Sequence, residues 1–185
     1  MQLIPMPLDG VFLVEPDVFG DARGYFLEVW AKEKFSAAGA EYAFVQDNES
    51  LTRRKGTLRG LHCQLDPMSQ AKLVRVISGA VLDVAVDLRE GSPTYLRWVS
   101  TELSGENKKQ LLIPRGFAHG FLTLTADVLF AYKVDNPYAP ALDRTIRYDD
   151  PAIGVDWGVG EPFLSDKDRS APLLSASDVH FQFRG

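Results

Sequence analysis

The chain has 185 residues, 45% hydrophobic and 24% charged, enough for one globular domain spanning 1–185 with a core of ordinary size and no demand for a second. A net charge of -5 excludes general nucleic-acid binding, which needs broad positive potential, so an anionic ligand must be gripped by a few local arginines and lysines. No run approaches a membrane span, the N-terminus lacks the regions of a signal peptide, and the single cysteine, Cys63, excludes an internal disulfide framework; the expected address is the cytosol.

Glycine and proline punctuate short runs rich in Val, Ile, Leu, Phe and Tyr, the pattern of an all-β sandwich or barrel. Strands are expected at 11–14, 24–30, 44–50, 57–63, 72–78, 81–88, 95–101, 109–113, 117–124, 128–134 and 145–149. Only Ala31 to Ala38 reads as a helix, with Gly39 as its stop. Past Pro151 the chain turns Gly, Pro and Asp rich, so a wrapping C-terminal segment is expected, with helical turns around Ser165 to Arg169.

Strand parity assigns faces, because alternate side chains point to opposite sides. Between Val81 and Leu88 one face carries Leu82, Val84, Val86 and Leu88, and the other carries Val81, Asp83, Ala85 and Asp87. The aspartates line either solvent or a polar cavity. Gln46, Asn48 and Ser50 likewise share one face as a ladder of neutral donors and acceptors.

Gly56-Thr-Leu-Arg-Gly-Leu-His62-Cys-Gln64, followed by Lys72 and Gly79 and answered by Pro114-Arg-Gly-Phe-Ala-His119, has the two-part spacing of a cupin-type jelly-roll barrel. In metal-binding cupins a second histidine and a carboxylate complete the first half of that signature. Here those places hold Gln64 and Lys72, and an ammonium does not coordinate a cation. The expectation is no metal and no cofactor.

His62 can accept and return a proton near neutral pH, and needs its second nitrogen held by a carboxylate. Asp83 and Asp168 are both candidates for that partner. Lys72 shares a face with Val74 and Val76, which turns its ammonium inward to stabilise an oxyanion or to pair with Asp83. Tyr132, on the face of Val128, Phe130 and Val134, is a candidate general acid. Arg23 and Arg59 are the best local anion hooks. Arg59 and His62 have opposite parity in an unbroken strand, so they share a pocket only if the strand bulges at Gly60.

Together with Phe19-Gly-Asp-Ala-Arg23-Gly-Tyr-Phe26-Leu-Glu28, Gln46-Asp-Asn48, Tyr132-Lys and Leu164-Ser-Asp-Lys167-Asp168, these motifs resemble the dTDP-4-dehydrorhamnose 3,5-epimerases over essentially the whole chain. The resemblance implies an isomerase acting on a dTDP-4-keto-6-deoxysugar, with His62 as base, Asp168 as its partner, Tyr132 as acid and Lys72 facing the C4 oxygen. It implies that Arg23 and Arg59 hold the diphosphate with Lys167 nearby, that Glu28, Gln46 and Asn48 contact nucleotide or sugar, that His119 lines the sugar pocket, and that Tyr138 stacks near the thymine. Asp143 occupies a ligand-contacting position where the family often has Glu. Cys63 replaces a usual aromatic and Tyr148 a usual Trp. The family's homodimer exchanges N-terminal strands, which would place Phe19, Arg23 and Glu28 in a neighbour's site.

Overall fold

Two antiparallel sheets face each other in the computed structural model, which describes residues 1–184. The larger is ordered β1 (Gln2–Pro5), β2 (Phe12–Glu15), β11 (Gln110–Ile113), β7 (Lys72–Ser78), β13 (Val128–Val134) and β5 (Gln46–Thr52). The smaller is ordered β10 (Trp98–Ser104), β8 (Ala80–Asp87), β12 (Phe117–Thr123), β6 (Leu58–Gln64) and β14 (Asp143–Thr145). From β5 to β14 the chain crosses between layers at nearly every turn, which gives the jelly-roll sandwich expected from the sequence.

Alternation lets each strand feed two apolar layers. Val74, Val76, Ile113, Phe117, Phe121 and Phe130 fill the space between the sheets. On the outer side of the smaller sheet, Leu58, Leu61, Cys63, Val84 and Val86 pack beneath Ile153, Trp157 and Phe181 of the C-terminal segment, which wraps as expected. The outer side of the larger sheet is covered by Phe35 of α1 (Lys32–Ala37), with Trp30, Tyr42 and Phe44. Asp83 and Asp87 are fully buried, so the acidic face of β8 lines the interior and not solvent.

Several boundaries move for local reasons. The strand expected at 95–101 begins at Trp98, because Leu96 takes a left-handed φ of 62° in the preceding turn. The strand expected at 145–149 is β14, and Arg147 instead donates its N–H to Pro172 O of the tail. The run expected at 24–30 is strand only over β4 (Gly24–Leu27), which pairs with an unexpected β3 (Val18–Asp21) in a separate two-stranded sheet. The short strands β1, β3, β9 (Arg89–Glu90) and β15 (Phe181–Gln182) carry no alternation long enough to announce them.

The break at Gly60 is present. His62 pairs with His119, whereas Arg59 pairs with Phe121, so β6 holds one residue more than β12 over that stretch. Leu58 and Leu61, three apart, therefore both turn outward into the tail-covered layer. Arg59 turns inward, its Nε donating to Thr52 Oγ1 of the opposite sheet at 3.1 Å. On the edge of β6, Leu61 bonds Ile146 and Leu58 bonds Phe163, and α2 (Asp166–Arg169) sits against the strand between them.

Gly60 has φ 132°, and a Cβ there would lie 2.6 Å from Gly120 Cα and 3.0 Å from His119 O. Both obstacles are backbone and cannot swing aside. Gly60→Ala should lower unfolding free energy by roughly 2–5 kcal/mol in urea titration, combining left-handed strain with overpacking. An unchanged midpoint would contradict this register.

Candidate active site

The strands β5 and β14 are edge strands of the two sheets, and the segment between β13 and β14 ties them together: Tyr138 N–H donates to Gln46 Oε1 at 3.0 Å while Ala139 N–H donates to Gln64 Oε1 at 2.8 Å. The cleft beneath has one wall from each sheet.

From the smaller sheet comes His62, whose Nε2 lies 2.6 Å from Asp168 Oδ1. Asp168, and not Asp83, is thus the carboxylate on this histidine. Ser165 caps α2, accepting from Asp168 N–H at 3.1 Å and donating its hydroxyl to Asp168 Oδ2 at 2.7 Å. Burial acts to raise the Asp168 pKa, but the hydrogen bond and charge of His62, with Ser165 and the Gly60 backbone, outweigh it and hold the carboxyl below its ordinary value. An ionised carboxylate only accepts, so in the neutral imidazole it is Nε2 that carries the proton and Nδ1 that has the lone pair.

Asp83 is spoken for by another histidine. His119 Nε2 lies 2.9 and 3.1 Å from its two oxygens, deep between the sheets, and the His119 ring stacks toward Phe130 at 6.1 Å. Burial raises the Asp83 pKa, opposed by the charges of His119 and Lys72.

From the larger sheet come Lys72 and Tyr132. Of the two roles open to Lys72, the pairing with Asp83 is not found: among the described residues no carboxylate oxygen lies within 4.0 Å of its ammonium. Burial lowers the Lys72 pKa from its ordinary value, with Cys63, Asp143 and Asp83 opposing. Tyr132 is half-buried beside Asn48 of β5. Its phenol is raised by burial and by the charge of Asp143, against the pull of Arg59, so it stays protonated at neutral pH.

Around these groups, Gln46 and Asn48 turn inward and share a hydrogen bond of 2.8 Å. Asp143 Oδ2 accepts from Lys167 Nζ at 2.6 Å and from the Tyr138 hydroxyl at 3.3 Å, joining β14, α2 and the cleft rim. Phe19, Arg23 and Glu28 do not join this cluster within the chain. Phe19 is 64% exposed, Arg23 is exposed and paired with its hairpin neighbour Asp21, and Glu28 pairs with Lys34 at 2.9 Å. Cys63 faces away into the tail-covered layer, where burial pushes its thiol up to about 12.

Two contributors escaped the sequence reading. Ser165 was legible as the cap of Ser165-Asp-Lys-Asp168, a polar residue three before an acid. Gln64 was noted only as a missing metal ligand, and no sequence signal marks its loop contacts. Among the described residues no three His, Cys, Asp or Glu side chains converge as a metal site.

Fold and cleft together define a cupin-like double-sheet protein with ionisable groups facing each other across an open edge. A sequence model of the dTDP-4-dehydrorhamnose 3,5-epimerase family matches residues 5–176. The Sinorhizobium fredii dTDP-4-dehydrorhamnose 3,5-epimerase is 53% identical over 94% of this chain and 89% of its own length. The solved Legionella pneumophila dTDP-6-deoxy-D-glucose-3,5-epimerase, in complex with dTDP-4-keto-L-rhamnose, superposes with a TM-score of 0.94 at 44% identity, covering 100% of this chain and 99% of that one. The Bacillus anthracis enzyme, with TDP and PPi bound, gives 0.91 at 44% identity, covering 94% and 99%. The chain belongs to the dTDP-4-dehydrorhamnose 3,5-epimerase family.

Because the folded-state pKa of Asp168 lies below its unfolded value, its ionised form stabilises the fold above the ordinary carboxylate range, and that contribution is lost as pH falls through the folded value. The stability gap between wild type and Asp168→Asn should therefore narrow as pH falls from about 5 to about 2. A gap that stays constant in pH-dependent urea unfolding would contradict the ionised pair.

Proposed function

We propose that this chain catalyses the 3,5-epimerisation of dTDP-4-keto-6-deoxy-D-glucose to dTDP-4-keto-L-rhamnose, a step of dTDP-L-rhamnose biosynthesis. The observation that carries the reading is the Asp168-held His62 on one sheet with Tyr132 and Lys72 on the other, Asp143 acting on both Tyr132 and Lys72 and no carboxylate lying within 4.0 Å of the Lys72 ammonium among the described residues. The names and bound sugars of the relatives supply the substrate.

The C4 carbonyl acidifies the hydrogens on C3 and C5. His62 Nδ1 takes one of them, and the C–H electron pair moves to form an enolate whose negative charge rests on the C4 oxygen. Lys72 neutralises that charge, which is the counter-charge its buried ammonium lacks; preorganised charge of this kind is commonly among the largest contributions to a rate. Tyr132 then donates its proton to the opposite face of the carbon, inverting it. The phenolate regains a proton, the imidazolium releases one, and repetition at the second carbon inverts both centres. Asp168 stabilises the imidazolium that forms at each removal.

Arg59 from the smaller sheet and Lys167 from α2 stand where a diphosphate would lie, with Gln46, Asn48, Tyr138, Asp143 and His119 as substrate contacts. Arg23, Phe19 and Glu28 serve a neighbouring subunit, reached by the β3–β4 hairpin in a homodimer. Support for this is the exposure of Phe19 and Arg23 and the separation of the β3–β4 hairpin from both large sheets.

In deuterium oxide, the native protein should exchange substrate hydrogens at both C3 and C5; His62→Ala should abolish both exchanges, and Tyr132→Phe should spare proton removal more than product formation, by at least about tenfold. Exchange at one carbon alone would indicate a single epimerisation, and normal turnover by His62→Ala would remove His62 as the base. Mixing inactive His62→Ala and Arg23→Ala subunits tests the dimer: exchanged hairpins leave one intact site in each mixed pair and restore roughly a quarter of wild-type activity. No recovery after subunit exchange would place Arg23 in its own chain's site.

A further inference from the structure

Gln64 occupies the position of a metal-binding histidine in the cupin pattern, yet its side chain is taken up by the backbone of neighbouring loops. It is 4% exposed, and its Nε2 donates to Pro137 O at 3.1 Å and to Met68 O, while its Oε1 accepts from Ala139 N–H at 2.8 Å. Both amide hydrogens and the carbonyl are thus engaged, and two of the three bonds fall on the residues immediately before and after Tyr138. From the opposite sheet Gln46 Oε1 accepts Tyr138 N–H, and from β14, paired with Gln64 on its own sheet, Asp143 Oδ2 accepts from the phenol. Tyr138 is nonetheless 56% exposed. An aromatic face whose backbone is fixed from two sides can bind without first being ordered, which spares the entropy of immobilising a loop side chain.

We infer that Gln64 is a positioning residue for Tyr138, fixing the rim of the cleft so that the substrate's nucleoside diphosphate half binds a preset surface. The inference rests on the epimerase reading for the identity of that ligand. Gln64 acts through Tyr138 and touches neither substrate nor reacting atoms. A residue that merely supports the fold would lower stability and every kinetic constant alike; a positioning residue separates affinity from turnover and loses its effect once its target is removed.

The test is a double-mutant cycle on dTDP binding, read by calorimetry, with Gln64→Leu, Tyr138→Ala and the double variant. Gln64→Leu should weaken dTDP about tenfold while lowering kcat at saturating substrate less, and in the Tyr138→Ala background the same change should cost under about twofold. Equal losses in both backgrounds, or an unchanged affinity in Gln64→Leu, would overturn the inference. If Gln64→Leu does not fold, Gln64→Glu serves instead, because it keeps an acceptor for Ala139 N–H and sets a carboxylate against the carbonyls of Pro137 and Met68; the same non-additivity is expected. Wild-type protein that fails to bind dTDP would overturn the substrate reading and this inference with it, whereas wild-type binding with an additive cycle overturns the role of Gln64 alone.

Discussion

The extra residue at Gly60 is the constraint on which the cleft depends. An unbroken β6 would send His62 and Arg59 to opposite faces, leaving one of them under the C-terminal segment. With the bulge, both turn toward the interior, Leu58 and Leu61 both turn outward, and the strand edge between them receives α2. The irregularity therefore does two jobs: it aligns the anion hook with the histidine, and it admits Asp168 to the histidine's far side. Gly120, packed against Gly60 on the neighbouring strand, is the other half of the device, since a Cβ there would meet Arg59 O at 2.9 Å.

Three aspartates around His62, Lys72 and Tyr132 have close partners of their own. Asp83 is held by His119, Asp168 by His62 and Ser165, and Asp143 by Lys167 and Tyr138. Lys72 remains, desolvated and without a carboxylate partner within 4.0 Å among the described residues. A partnered lysine would be an inert ion pair, whereas an unpartnered one favours whatever oxyanion forms beside it. Asp83 matters here by being occupied: its bonds to His119 keep it from neutralising the ammonium at close range.

Much of this was legible in the residues. The alternation of Lys72–Ser78 and Val128–Val134 fixed those strands to the residue and turned Lys72 and Tyr132 inward, because both strands are long, apolar and central. The parity conflict between Arg59 and His62 located the bulge, since a side-chain period of two cannot place them together otherwise. The β3–β4 hairpin was not read as its own sheet, because its strands are four residues each and nearly all exposed, so no hydrophobic alternation distinguishes them. Residue spacing alone did not choose between Asp83 and Asp168, although the family resemblance implied Asp168. The choice depends on where a tail over 80 residues later in the chain settles, through the apolar contacts of Ile153, Trp157 and Leu164. The contacts of Gln64 went unread for a related reason: its three bonds run to backbone atoms in loops, and backbone partners leave no mark in side-chain patterns.

The central claim is that Asp168 holds His62 as the Nε2–H tautomer and leaves Nδ1 free to take a proton. Nitrogen NMR of protein labelled in its histidine rings reads this directly at neutral pH, with His62→Asn assigning the resonances. Shifts of a protonated Nε2 and an unprotonated Nδ1, lost or inverted in Asp168→Asn, are the predicted result. A proton resident on Nδ1 in the native protein would contradict the account.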